Sequence, residues 1–145
     1  MDINTALNDV LVKLFRNINT IEEQTMRTDE YKDVTTNDMH VIEAIGIGEQ
    51  KNMTTVAKAL HVTTGTLTIS INSLVKKGYV SRIRSEEDRR VVLISLTEKG
   101  RQAFLHHRNF HDRMIESVVE DLSEEEKQVL EKALRRLNQY FLSQI

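Results

Sequence analysis

The sequence predicts a mainly α-helical chain carrying one small two-stranded β element. Three observations carry that expectation. There is no proline and there are only five glycines in 145 residues, so long helices can run without a residue that breaks their interiors. Apolar residues recur at steps of three and four along most of the chain, the period of one helix face. The period changes to an extended one only between Tyr79 and Leu96.

The first helix is expected over residues 3 to 21, where Ile3, Leu7, Val10, Leu11, Leu14, Phe15, Ile18 and Ile21 form one apolar face. Thr25 to Val34 is polar and reads as a connection. Thr35 followed by Asp38 is a capping box with a carboxylate, opening a helix that bears Val41, Ile42 and Ile45. Gly46 and Gly48 end it. Thr54 is the expected cap of a short helix with Val56, Ala57 and Leu60, and Thr63 caps the next, with Leu67, Ser70, Ile71 and Leu74 facing inward. Only His61 and Val62 separate Leu60 from that second cap, and Val62 is placed to staple the joint. This is helix-turn-helix spacing. Gly78 supplies a left-handed stop after Lys76 and Lys77.

"YVSRI" and the β-branched "RVVLISL" then read as two strands around the charged turn "RSEEDR". Two strands joined by a basic loop, directly after a helix-turn-helix, make a wing. After Thr97 a long helix carries Ala103, Phe104, His107, Phe110, His111, Met114, Ile115 and Val118 on one side. Ser123 and Glu126 form a capping box for the last helix, bearing Val129, Leu130, Ala133, Leu134, Leu137, Tyr140 and Phe141. The terminal helices hold more apolar surface than a small head can cover, so they are expected to pair with a second copy across a two-fold axis. The expected organisation is one domain over 1–145. Residues 1–34 and 100–145 are assigned to dimerisation, and 35–99 to a winged helix-turn-helix lobe.

Composition narrows the partners. The net charge is −2, but it is uneven. Residues 1–50 carry 4 basic and 10 acidic side chains, residues 76–101 carry 8 and 4, and residues 115–132 carry 2 and 7. A basic centre between acidic ends points to a polyanion partner, because the local field outweighs the sum. The absence of cysteine excludes a disulfide framework and thiolate metal sites. The start lacks the pattern of a signal peptide, and no apolar run approaches the roughly 18 residues that span a bilayer. A cytoplasmic protein without a membrane role is expected. No glycine-rich phosphate loop, nucleophile elbow or HExxH motif occurs, so an enzyme is not expected and no cofactor is assigned.

The segments "VTTGTLTISINSLVKKGYVSR" and "SEEDRRVVLISLTEKGR" resemble the MarR family of winged-helix transcriptional regulators over nearly the whole length. Asp88, Arg90, Leu96 and Thr97 match the family's wing pattern. "MH" at 39, "GTLT" at 65, "KKGYVSRIRSEEDRRVV" at 76 and "FH" at 110 are similar to the fatty-acid-synthesis repressors within it. The resemblance implies a homodimer on a pseudo-palindromic double-stranded DNA operator. It also implies repression of lipid-synthesis genes, strengthened by long-chain acyl groups on acyl carrier protein.

In that setting the second helix meets base edges. Thr64, Thr66, Thr68, Ile69 and Asn72 are left for DNA, with Lys76, Lys77, Arg82, Arg84 and Arg89 for phosphates. Many relatives carry an arginine where Ile69 stands; an apolar side chain there suits a thymine methyl instead of guanine. Arg90 matches the family's wing arginine, which enters the minor groove, and Asp88 would hold the wing by pairing with arginine. An apolar effector pocket would draw on Phe15, Ile18, His40, Phe104, His107, Phe110 and His111. Three alternatives stay open for these residues. His40, His107 and His111 could form the metal site of a zinc-responsive regulator, or the rings could be satisfied core histidines. The wing and helix-turn-helix could also serve as a protein-interaction module.

Overall fold

The computed structural model describes residues 2–26, 28 and 30–145. Met1 lies outside them. So do Arg27 and Asp29, which belong to the connection expected over 25–34. The element order is α1 (Ile3–Met26), α2 (Thr36–Ile45), β1 (Lys51–Asn52), α3 (Met53–Ala59), α4 (Thr64–Lys77), β2 (Val80–Arg84), β3 (Val92–Leu96), α5 (Glu98–Val119) and α6 (Glu124–Leu142). Two compact units result, Met1–His107 and Arg108–Ile145. Helix α1, assigned from sequence to dimerisation, therefore falls in the same unit as the winged lobe. Among the described residues no helix is long and apolar enough to cross a membrane.

Local chemistry sets most helix boundaries. Thr35 accepts the Asp38 amide while the Asp38 carboxylate accepts the Thr35 amide, and Ser123 and Glu126 repeat the arrangement at α6. Each pairing satisfies two amides that a helix start leaves without an internal partner. Thr63 caps α4 by accepting from the Thr66 amide, and Gly78 closes it at φ 88°, a conformation without steric cost only for glycine. The cap of α3 differs from expectation. Asn52 Oδ1 accepts the Thr55 amide at 2.8 Å, and Thr54 lies inside the helix. Asparagine ranks at the top of the capping residues, so it starts the helix before Thr54 is reached.

The sheet has three strands in the order β1-β3-β2, all antiparallel, rather than two. Val80 pairs with Leu96 and Arg84 with Val92, while Lys51 and Asn52 add a two-residue edge against Ile94 and Leu93. Two residues are too few to show the alternation that identifies a strand. The polar stretch after α1 also contributes more than a connection. Helix α1 runs on to Met26, and Met26, Tyr31 and Val34 are buried in the core.

That core joins Val41, Ile42 and Ile45 of α2, Val56 of α3, Leu67, Ile71 and Leu74 of α4, Tyr79, Val80, Ile94, and Ala103 of α5. Helix α5 reaches it through Gly100. A Cβ there would stand 2.1 Å from the Tyr79 carbonyl oxygen, so no other residue fits without moving the backbone. Thr97 prepares the approach: its hydroxyl donates to Gly78 O at 2.6 Å and accepts the Gly100 amide at 3.1 Å. Tyr79 is fully buried and donates its hydroxyl to Asp33 Oδ1 at 2.7 Å. Burial, then the Asp33 hydrogen bond and charge, raise that hydroxyl's pKa above its ordinary value.

Candidate nucleic-acid interface

Helix α4 sorts its residues by face. Leu67, Ile71 and Leu74 are turned into the core, which leaves Thr64, Gly65, Thr66, Thr68, Ile69, Asn72 and Lys76 exposed. The three threonines are not equivalent. Thr66 Oγ1 accepts from the Thr63 hydroxyl at 3.0 Å, so its own proton is left to donate. Thr68 spends its proton on Thr64 O at 2.8 Å and keeps only acceptor capacity and a methyl group. A phosphate oxygen therefore suits Thr66 and not Thr68.

Lys76 and Lys77 part ways. Adjacent helix positions are 100° apart, and Lys77 turns toward α2, where its ammonium lies 2.7 Å from Asp38 Oδ2. Asp38 is 4% exposed and also completes the cap of α2. Lys77, grouped from sequence with the phosphate contacts, is instead a tie between α4 and α2. Lys76 remains on the exposed side.

The wing is held by short local bonds. Ser85 N donates to Val91 O at 2.9 Å, Val91 N to Asp88 O at 2.9 Å, and Arg84 Nη1 to Arg89 O at 2.9 Å. Asp88 accepts from Arg90 three times: from its amide at 3.1 Å, from Nε at 3.0 Å and from Nη2 at 3.1 Å. The Arg90 side chain is nevertheless 91% exposed, so its fork is oriented without being covered. The guanidinium hydrogen bond, followed by the Arg90 amide, holds the Asp88 carboxyl below its usual pKa. Arg82 reaches back from β2 to α4, where its Nη1 donates to Asn72 Oδ1. Arg89 is exposed. Exposed cations thus stand on α4 itself, on β2 against Asn72 of that helix, and on the wing tip, residue types that neutralise phosphates while the polar helix face presents side chains to base edges.

The residues assigned to an effector pocket differ in burial. Phe15 is 62% exposed, Ile18 is half-buried, and Phe104 packs against the core. His40 is exposed and lines a small groove with Asn37, Thr66 and Ser70 beside the helix-turn-helix. His107, by contrast, is buried; its Nε2 lies 2.8 Å from Glu43 Oε1 and 4.0 Å from Glu22 Oε1. Within the first unit, His40 therefore borders α4 while His107 meets Glu43. Phe110 and His111 belong to the second unit, half-buried, with ring centroids 5.4 Å apart. Glu22 and Glu43 were missed from sequence. Glu22 had a signal, a carboxylate four residues after Ile18 on an otherwise apolar stripe.

A helix-turn-helix followed by a cationic β-loop defines a winged-helix DNA-binding regulator. Comparison narrows the class. The family model described as transcriptional regulator SarA/Rot matches residues 25–106. The HTH-type transcriptional regulator SarZ of Staphylococcus haemolyticus is 34% identical over 105 residues, 72% of this chain and 70% of that protein. The crystal structure of Streptococcus pneumoniae FabT in complex with DNA superposes with a TM-score of 0.93 at 40% identity, covering 98% of this chain and 99% of that one. A MarR family transcription regulator, SP03579, shares the fold with a TM-score of 0.82 at 18% identity, over 96% of this chain and 90% of its own. The chain belongs to the SarA/Rot family of transcriptional regulators, on the MarR-type winged-helix fold, and is a regulator rather than an enzyme.

Proposed function

We propose that this chain is a sequence-specific DNA-binding repressor acting as a homodimer, with fatty-acid-synthesis genes as its targets and long-chain acyl-acyl carrier protein as corepressor. One observation carries the DNA reading: Lys76 of α4, Arg82 bonded to Asn72 on the exposed face of α4, and Arg89 and Arg90 of the wing are all exposed in a chain whose net charge is −2. The likeness to FabT over nearly the full length supports the choice of target genes. Pairing of two copies is supported by the terminal helices. No residue of α6 is buried, and on α1 Ile3, Leu7, Val10, Leu14 and Phe15 are all exposed. Large apolar side chains exposed along a helix face mark an interaction site when they form a patch.

The mechanism is geometric. Two copies of α4 enter successive major grooves only when about 34–36 Å apart. An acyl effector strengthens binding to the extent that it favours the conformer with that spacing over the other. The test is fluorescence anisotropy on a duplex from a fatty-acid-synthesis promoter, with and without long-chain acylated carrier protein. Tighter binding with the acylated protein is expected, and weaker binding for Arg90→Ala under both conditions. Equal affinity with acylated and unacylated carrier would remove the corepressor; absence of any binding in dilute salt would remove the repressor.

A further inference from the structure

We propose that the exposed face of α4 reads a thymine, with Ile69 against its methyl group and Asn72 donating to its O4, and that Arg82 selects this base by fixing how the Asn72 carboxamide points. The inference rests on the reading of α4 as the helix that meets DNA.

Ile69 is 73% exposed in the middle of an otherwise polar helix face. Asn72 follows three residues later, so the two side chains stand next to each other. Arg82 decides what Asn72 can offer. A guanidinium only donates, so the carboxamide atom it meets is the oxygen, Oδ1. The amide nitrogen is thereby turned away from β2 with both of its protons available. An asparagine that reads adenine needs both ends, donating to N7 and accepting from N6. Here the accepting end is directed at the wing strand, and what remains is a donor beside an aliphatic group. In the major groove an acceptor and a methyl group stand side by side on one base only: thymine presents O4 next to its C5-methyl. Lys76, exposed four residues beyond Asn72, is left for phosphate. Arg82 is thus a positioning residue, coupling the wing strand to base choice in addition to any charge it brings to the backbone.

The experiment selects binding sites from a random duplex pool at low salt with the full chain and its Ile69→Ala, Asn72→Ala, Arg82→Ala and Arg82→Lys variants. Each thymine of the selected site is then replaced in turn by deoxyuridine. The wild type is expected to enrich one thymine per half-site whose demethylation weakens binding about fourfold, the effect of one buried methyl group. Ile69→Ala is expected to bind the thymine and deoxyuridine duplexes equally. Arg82→Ala, with the carboxamide released, is expected to admit adenine where the wild type takes thymine, and Arg82→Lys, which still donates to Oδ1, to restore thymine. A merely structural role for Arg82 would change affinity and leave base preference alone. No thymine sensitive to demethylation, or an Arg82→Ala preference identical to wild type, overturns the proposal. Enrichment of no sequence by the wild type overturns the DNA reading with it.

Discussion

Helices α4 and α6 have amphipathic patterns of the same kind and use them in opposite ways. In α4, Leu67, Ile71 and Leu74 are at most 1% exposed, enclosed by the core of the first unit. In α6, none of the 19 residues is buried, and Val129, Leu134 and Phe141 are 69%, 51% and 50% exposed. The apolar face of α4 is complete within one chain, which frees its polar face for another molecule. The polar face of α6 is ordinary solvated surface, and its apolar face is the one that lacks a covering. An amphipathic stripe therefore states that a face will be buried and leaves open which molecule buries it.

The comparison can be broken first at its strong end. Leu74→Ala removes a fully buried side chain and is expected to cost about 2–5 kcal/mol, read as a fall in denaturant midpoint that does not depend on protein concentration. Gly100→Ala forces a methyl group onto the Tyr79 carbonyl. A loss of about 1–3 kcal/mol or more is expected in the same measurement, as for overpacked cores. The α6 counterpart, Leu134→Glu, is expected to leave the first unit's near-ultraviolet dichroism intact while weakening self-association at least about tenfold by sedimentation, since tenfold is about 1.4 kcal/mol. A concentration-dependent Leu74→Ala, or a Leu134→Glu that associates like wild type, would erase the distinction between the two helices.

Smaller effects sharpen it on the polar side. Arg90→Ala is expected to lower the slope of log affinity against log salt by about 0.9, the share of one phosphate contact. Asp88 gives a pH test. Its carboxyl is held below its ordinary pKa, first by the Arg90 side chain and then by the Arg90 amide. A depressed carboxylate contributes fully above its unfolded value and loses that contribution as pH falls through the folded one. Wing order, followed by the Arg90 amide resonance, is therefore expected to be flat around neutrality and to fade only in acid. A transition near neutral pH would show that another group holds the turn.

Features that rest on neighbours in the chain were legible from sequence. Thr35 with Asp38, the Thr63 cap, Ser123 with Glu126 and the left-handed Gly78 all act over a few residues, where spacing and residue type suffice. That Asp88 pairs with an arginine of the wing was expected; that the arginine is Arg90 is seen only in the structure. The features that escaped depend on partners brought from elsewhere. Lys77 meets Asp38 across 39 positions and Arg82 meets Asn72 across 10. Strand β1 exists only because Leu93 and Ile94 supply its pairing, and His107 is matched to Glu43 and Glu22 rather than to His40.

The sequence by itself determined the helices, the tight joint between α3 and α4, the charged turn and which face of each helix is apolar. Hydrophobic period and capping are local properties, legible from residue type and spacing over a few positions. Only the tertiary structure decided which cations remain exposed and which become ties. It also decided which way the Asn72 carboxamide points and why residue 100 is glycine. Those outcomes depend on which atoms distant segments place within about 3 Å of one another, the range over which hydrogen bonds and steric exclusion act.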